Sequence, residues 1–217
     1  MQSFVNFFGH AAVASWLAPS LDAVASGHAL GSMLPDFATM SGARLAENHL
    51  DVSIAQGIDL HHTTDSAFHH LPPVLALMRE LDERLDRAGC ARGPRRAVAH
   101  IGVELLLDGV MVDDEAYRDS YLAAIAHDTA GIRWRYDGDT ARFAMLITRL
   151  RAHGVPEDLR RPDAIAVRLH RMLAHRPRLA PSPADLVAIK SSLVAHKPRV
   201  DVATDTVLRA LRAALRA

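Results

Sequence analysis

The stretch 99-AHIGVELLLDGVM-111 spaces His100, Glu104 and Asp108 four residues apart, the repeat that returns side chains to one face of an α-helix. Ile101, Val103, Leu105, Leu106, Leu107 and Val110 occupy the positions between, so this helix is apolar nearly all round and belongs in an interior. Something must bury it. Elsewhere the chain has no hairpin dipeptides between alternating apolar runs and few segments dominated by β-branched residues, so the neighbours read as helices as well. The expected fold class is all-α.

Working outward, Ser3 can cap a first helix that runs to about Leu17 before Pro19, and a second run begins near His28 and passes through Asp36. A third starts near Val52. Pro72 or Pro73 then fits the first turn of a fourth, which Gly89 closes, and the opening stretch lies in a fifth helix from about Arg95 to Val112. "DDEAYRDSYLAAIAHD", "GDTARFAMLITRLRAHG", "PEDLRRPDAIAVRLHRMLAHR" and the remaining C-terminal residues continue the amphipathic pattern, for a bundle of about nine or ten helices. With 49% hydrophobic content, 217 residues can bury a sizeable core, and no repeat or low-complexity linker divides them. A single domain over 1–217 is expected, with 180–217 as a C-terminal helical extension.

Lysine plus arginine balance aspartate plus glutamate at 25 each, so no global field attracts nucleic acid or a membrane. Charged partners must be met by local patches. The single cysteine, Cys90 in "RAGCARG", can make no internal disulfide and reads as an inert surface thiol. The apolar opening "MQSFVNFFGHAAVASWLAP" lacks a basic start and is interrupted by Asn6 and His10, so neither a secretory signal nor a membrane span is expected, and a cytoplasmic location is.

A second polar constellation lies in 57-GIDLHHTTDSAFHH-70, where His61, Asp65 and His69 fall in one helical row with His62 and Asp59 alongside. Such a row resembles a ladder of metal ligands; a solvated helix face would also explain it. Asp36, at the end of the apolar "ALGSMLPDF", reads as a ligand, a helix cap or a salt-bridge partner. Glu104 and Asp108 would each cost several kcal/mol if left as lone charges in an apolar helix, so they require a metal ion, another cation, or a bridge to Arg95, Arg96 or a neighbouring helix. His100 and His10 read equally as satisfied core histidines.

Taken in order, "NFFGHAAVA", "GSMLPDF", "GIDLHHTTD" with "LPP" after it, "ELLLDGVM" and "HRPRL" resemble the acyl carrier protein phosphodiesterase family over most of the chain. That family shows patterns such as NYLAH, GNLLADF, GIxLHRxID, TDxHP, DxxxDHFL and RRPRL. It is regarded as a divergent, all-helical relative of the HD-domain metal phosphohydrolases, and it releases 4′-phosphopantetheine from acyl carrier protein with a divalent cation such as manganese. The resemblance therefore implies an HD-domain-like bundle and metal-assisted phosphodiester hydrolysis.

Position by position, His10 matches the histidine of NYLAH, Asp36 the aspartate of GNLLADF, His61 and Asp65 those of HRxID, Pro72 the proline of TDxHP, and Asp108 the aspartate of DHFL. Arg176, Pro177, Arg178 and Leu179 reproduce the end of RRPRL. Four departures accompany them: Gly109 for the histidine of DHFL, His62 for the arginine of HRxID, His69 for the aspartate of TDxHP and Glu104 for an aspartate. Asp36, His61, Asp65 and Asp108 are thus the expected ligands of a divalent ion, with His10 and His69 next; Glu104 is a candidate base, and His69 or His100 a candidate acid. Oxygen and imidazole donors suit manganese first, then magnesium or iron. The expected partner is acyl carrier protein itself, a strongly acidic bundle, met by Arg168, Arg171, Arg176 and Arg178 in a stretch that also holds Arg160 and Arg161, although a solvated arginine-rich face would look the same. Two other functions share the scaffold: an HD-like hydrolase of nucleotides or another small phosphoester, and a catalytically silent helical binding protein.

Overall fold

The computed structural model describes residues 7–18 and 20–216, so the expected Ser3 cap and the Pro19 stop lie outside the described residues. Among those described, the protein is all-helical, with one isolated bridge between Leu45 and Trp134 and no strand. The α-helices are α1 (Phe7–Leu17), α2 (Ala23–Ser41), α3 (Val52–Phe68), α4 (Pro72–Arg87), α5 (Arg92–Met111), α6 (Glu115–Ala126), α7 (Asp139–His153), α8 (Pro162–Leu173) and α9 (Pro183–Ala214), with a short 3-10 turn at Glu157–Arg160. None of them is long and apolar enough to cross a membrane.

Helix α2 starts earlier than its apolar pattern suggests, because the Asp22 carboxylate accepts the Ala25 N–H at 2.9 Å and fixes the first turn there. It runs through Pro35 and Asp36 to a left-handed Gly42, whose N–H reaches the Ala38 and Thr39 carbonyls. Asp36 is therefore interior to a helix, and the capping alternative for it falls away. Helix α9 begins on a capping box in which Ser182 and Asp185 each serve the other's backbone N–H.

Contacts gather the residues into two compact units, one formed by residues up to Asp65 with Met111–Pro156 and the other by Ser66–Val110 with Glu157 onward. In the first, α1, α2 and α6 pack on one another around Phe7, Phe8, Phe37 and Tyr121, with ring centroids 5.4 to 5.8 Å apart. Eight successive residues of α1, Phe7 to Ala14, are buried, which is why that helix is apolar on all sides. Helices α2 and α3 cross almost backbone to backbone. A Cβ on Gly57 would lie 2.1 Å from the His28 carbonyl oxygen, and one on Gly31 would lie 2.2 Å from that of Ile54.

In the second unit, α4 lays Val74, Leu77, Leu81 and Leu85 in one buried row and packs on α9, which also packs on α8. Leu193 and Leu81 both approach Gly102 of α5. Cys90 is buried here, which corrects the expected surface position. Gly89, with φ +79°, turns the chain back so that the Cys90 N–H reaches the Leu85 carbonyl at 3.0 Å and the side chain points inward. Burial, and then the neighbouring Asp185 carboxylate, push its thiol up to about 12, so the thiolate does not form near neutrality.

Candidate metal centres

The first unit brings His10 of α1, Asp36 of α2, and His61 and Asp65 of α3 together. His10 Nε2 lies 3.3 Å from Asp65 Oδ1 and 3.9 Å from Asp36 Oδ2, and His61 Nε2 lies 3.4 Å from Asp65 Oδ2. The two imidazoles stack at 4.1 Å. His10, Asp36 and His61 are buried, whereas the Asp65 side chain keeps 23% of its surface exposed and forms the open edge of the group.

The orientation of His61 is set from behind. Its Nδ1 lies 2.8 Å from the Ser32 carbonyl oxygen, which can only accept, so Nδ1 carries the proton and Nε2 presents a lone pair. Burial, reinforced by His10 and opposed by Asp65, depresses the imidazole to about 3, which keeps it neutral. Metal-binding histidines commonly donate their second ring N–H to a carbonyl in this way. The Ser32 hydroxyl in turn donates to the His10 carbonyl at 3.1 Å and to Ala29 at 2.8 Å. The close crossing at Gly31 and Gly57 is what lets the Ser32 backbone reach His61.

Two lone-pair atoms, His61 Nε2 and Asp65 Oδ2, thus face one another, an arrangement that a shared cation resolves. Donors around one ion at about 2.1 Å are separated by roughly 3.0 to 3.4 Å. The 3.3 and 3.4 Å separations at Asp65 match that spacing, and His10, His61 and Asp65 form a donor set that could hold a divalent ion, with Asp36 Oδ2 3.9 Å from His10 behind them.

The second unit holds another group. His100 and Glu104, one turn apart on α5, place Nε2 and Oε1 3.1 Å apart, and His69 Nε2 comes from the turn after α3 to 3.8 Å from the same oxygen. The His69 and His100 rings lie 4.7 Å apart. Arg95, one alternative partner for the acids of α5, is engaged by Asp82 at 3.1 Å and by Asp86, and Arg96 is exposed. Asp108 is buried on α5 in this unit.

The expected row in 57–70 is thus divided. His61 and Asp65 face inward in the first unit, His69 lies beyond the end of α3, and His62, Asp59 and His70 are exposed. Gly109 is accounted for by packing, since a Cβ there would stand 2.1 Å from the Leu159 carbonyl oxygen and leaves no space for a histidine. Among the arginines, Arg168 is held by Asp158 through two contacts of 2.8 and 2.9 Å. Arg160 pairs with Glu157, Arg171 and Arg178 are exposed, and Arg176 is half-buried. Arg161, Arg168 and Arg171 line an open cleft of about 470 Å³ together with Asp158, Asp163 and Met172. In the late motif it is the Arg178 backbone that is fixed, its carbonyl lying where a Cβ of Gly93 would be.

Ser32, Gly31 and Gly57 support the first group and were not among the expected site residues. Their signal is the small-residue spacing in "GHALG" and "SIAQG", Gly27 to Gly31 and Ser53 to Gly57, each four apart. Comparison of the chain with protein-family models, curated proteins and solved structures finds no match in any of the three.

Proposed function

We propose that the protein is a metal-dependent phosphodiester hydrolase whose ion is held in the first unit by His10, Asp36, His61 and Asp65. The observation that carries this reading is the neutral, carbonyl-locked His61 turned toward a carboxylate that also meets His10. A bound divalent ion would supply Lewis acidity toward a phosphoryl oxygen and acidify water at neutral pH. Asp65 joins both histidines through its two oxygens and faces the open edge, so it orients the site and meets an entering phosphodiester. His10 and Asp36 exclude water from the inner side. In the overall reaction water adds to phosphorus, the bond from phosphorus to the alcohol oxygen breaks, and that oxygen leaves with a proton.

The substrate class follows from the resemblance in the sequence: 4′-phosphopantetheine released from the seryl oxygen of holo acyl carrier protein, with manganese as the ion and magnesium or iron as alternatives. Arg171 and Arg178 are exposed, which supports docking of an acidic protein. The test is turnover of bis-(p-nitrophenyl) phosphate and of holo acyl carrier protein with added manganese. Metal-dependent turnover of both supports the full reading. Turnover of small or nucleotide esters alone points to a small-phosphoester hydrolase, and turnover of neither, with or without metal, points to a silent binding protein.

A further inference from the structure

We infer that the second unit carries a metal site of its own, formed by His69, His100 and Glu104, which takes a borderline transition ion such as zinc or iron(II) and leaves one coordination position facing solvent. The inference does not depend on the hydrolase reading. Three features of the group carry it.

The first is convergence. Both imidazole Nε2 atoms approach one oxygen, Glu104 Oε1, at 3.1 and 3.8 Å, the first within and the second a few tenths of an ångström beyond the roughly 3.0 to 3.4 Å spacing of donors around a single ion. The second is burial. Glu104 is 3% exposed on a helix whose neighbouring Val103, Leu105, Leu106 and Leu107 are buried and apolar, and the groups that meet it are histidines rather than a permanent cation. An anion in such surroundings is costly, and a divalent ion bound by the carboxylate and both rings compensates it more fully than either imidazole alone. The third is access, since His69 and His100 keep 28% and 26% of their side chains exposed, so the histidine side of the group is open to water. Three protein donors with one free position form the arrangement of catalytic rather than structural zinc, and of iron(II) held by two histidines and one carboxylate.

The donor chemistry sets this site apart from the group in the first unit. Two imidazoles and one carboxylate favour zinc, iron(II) or cobalt over magnesium and calcium, whereas two imidazoles and two carboxylates also accommodate manganese and magnesium. A helical His-x3-Glu pair supplies two of the three donors from one rigid element, and His69 closes the set from a turn.

The experiment uses the full chain carrying His10→Ala and Asp65→Asn, which removes donors of the first unit, with Co2+ as the probe and no phosphoester present. Titration followed by visible absorption and calorimetry is expected to show one equivalent of Co2+ with ligand-field bands. Zn2+ should displace it and Mg2+ should not. Adding Glu104→Gln or His100→Ala should weaken binding by at least ~100-fold, because even outer partners of metal ligands cost about 10–100-fold. Should either variant lose its circular dichroism, His69→Asn, on the exposed side of the group, gives the same reading without touching the core. Absence of a Co2+ equivalent in the background protein, or equal affinity with His69→Asn, overturns the inference. The hydrolase reading stands or falls separately, on turnover.

Discussion

The two histidine-carboxylate groups use the same residue types and differ in how they are enclosed. In the first unit three of the four side chains are buried, a backbone carbonyl fixes the tautomer of His61, and a glycine-tight helix crossing holds that carbonyl in place. In the second, one helix supplies two donors, a turn supplies the third, and both imidazoles are partly exposed. Deep enclosure pre-organises donors and limits exchange, while an open rim allows exchange at the cost of looser geometry. On the reading proposed above, the first group would hold an ion while substrate approaches from the Asp65 side, and the second would load and release one.

The largest effect expected from this contrast is that of Asp65→Asn, which leaves shape nearly unchanged but removes the charge linking His10 and His61. Phosphodiester turnover should fall by at least ~10³-fold, comparable to losing a principal electrostatic stabiliser of a reaction. Cobalt binding at His69, His100 and Glu104 should be retained. Turnover within a few-fold of wild type would move the chemistry away from the first unit.

Next in size is Gly57→Ala, whose methyl group would meet the His28 carbonyl oxygen at 2.1 Å and the Gly31 Cα at 2.7 Å. Both are backbone atoms, so the helices must separate, and a destabilisation of about 3 kcal/mol or more is expected by denaturant unfolding. Ser32 moves with α2, so manganese affinity should fall with stability. A variant as stable as wild type with unchanged affinity would show that the crossing does not position the site.

Much of this was legible in the sequence, for identifiable reasons. Helices α4 and α5 announce themselves by period and by Pro72 and Gly89, which act locally. His61 and Asp65 were legible as part of a helical row that also read as a solvated face, while His10 and Asp36, which also read as a core histidine and a helix cap, were joined to them only by the family resemblance. The division of the row in 57–70 was not legible, because helical spacing continues on paper past Phe68 where the backbone turns. Nor was the role of Ser32, since a carbonyl that orients a histidine leaves no trace in residue identity. The burial of Cys90 was hidden for a similar reason: it depends on Asp185, 95 residues further on.

Acid stability offers a third test, because each unit holds a buried carboxylate, bonded to a backbone N–H, that lies below the ordinary 3.8. For Asp139 in the first unit, burial alone would raise the value, but the Arg44 N–H at 2.9 Å and the Arg142 guanidinium together outweigh it. For Asp185 in the second, burial is likewise outweighed, by the Ala91 N–H at 2.7 Å and by Ser182. A folded value below the unfolded one means that the stabilisation is complete above about pH 4 and is lost as pH falls through the folded value. Asp139→Asn and Asp185→Asn should each lower stability at pH 6, lessen its fall between pH 4 and 2, and converge with wild type at the acid end. Unfolding followed by circular dichroism across that range checks it, and parallel curves would mean that these carboxylates do not carry the acid sensitivity.

The smallest effects are expected from the arginines, where the contrast lies within the second unit between Arg168, tied to Asp158, and Arg171 and Arg178, which are exposed. Arg168 forms a two-point contact that is only partly shielded, so Arg168→Gln should cost no more than about 1 kcal/mol, less in high salt. Arg171→Gln with Arg178→Gln should change stability by about 0.5 kcal/mol or less, since both side chains are exposed. Their influence belongs to encounter with an acidic surface. The double variant should weaken binding of holo acyl carrier protein roughly tenfold at low salt and flatten its salt dependence, while turnover of bis-(p-nitrophenyl) phosphate stays within a factor of about two. Equal losses on both substrates would make these arginines part of the phosphate site, and unchanged carrier-protein binding would identify them as a solvated face. If Arg168→Gln alone reproduces the tenfold loss, docking depends on the α8 geometry that Asp158 maintains, and the cleft lined by Arg161, Arg168 and Arg171 becomes the contact surface rather than Arg178.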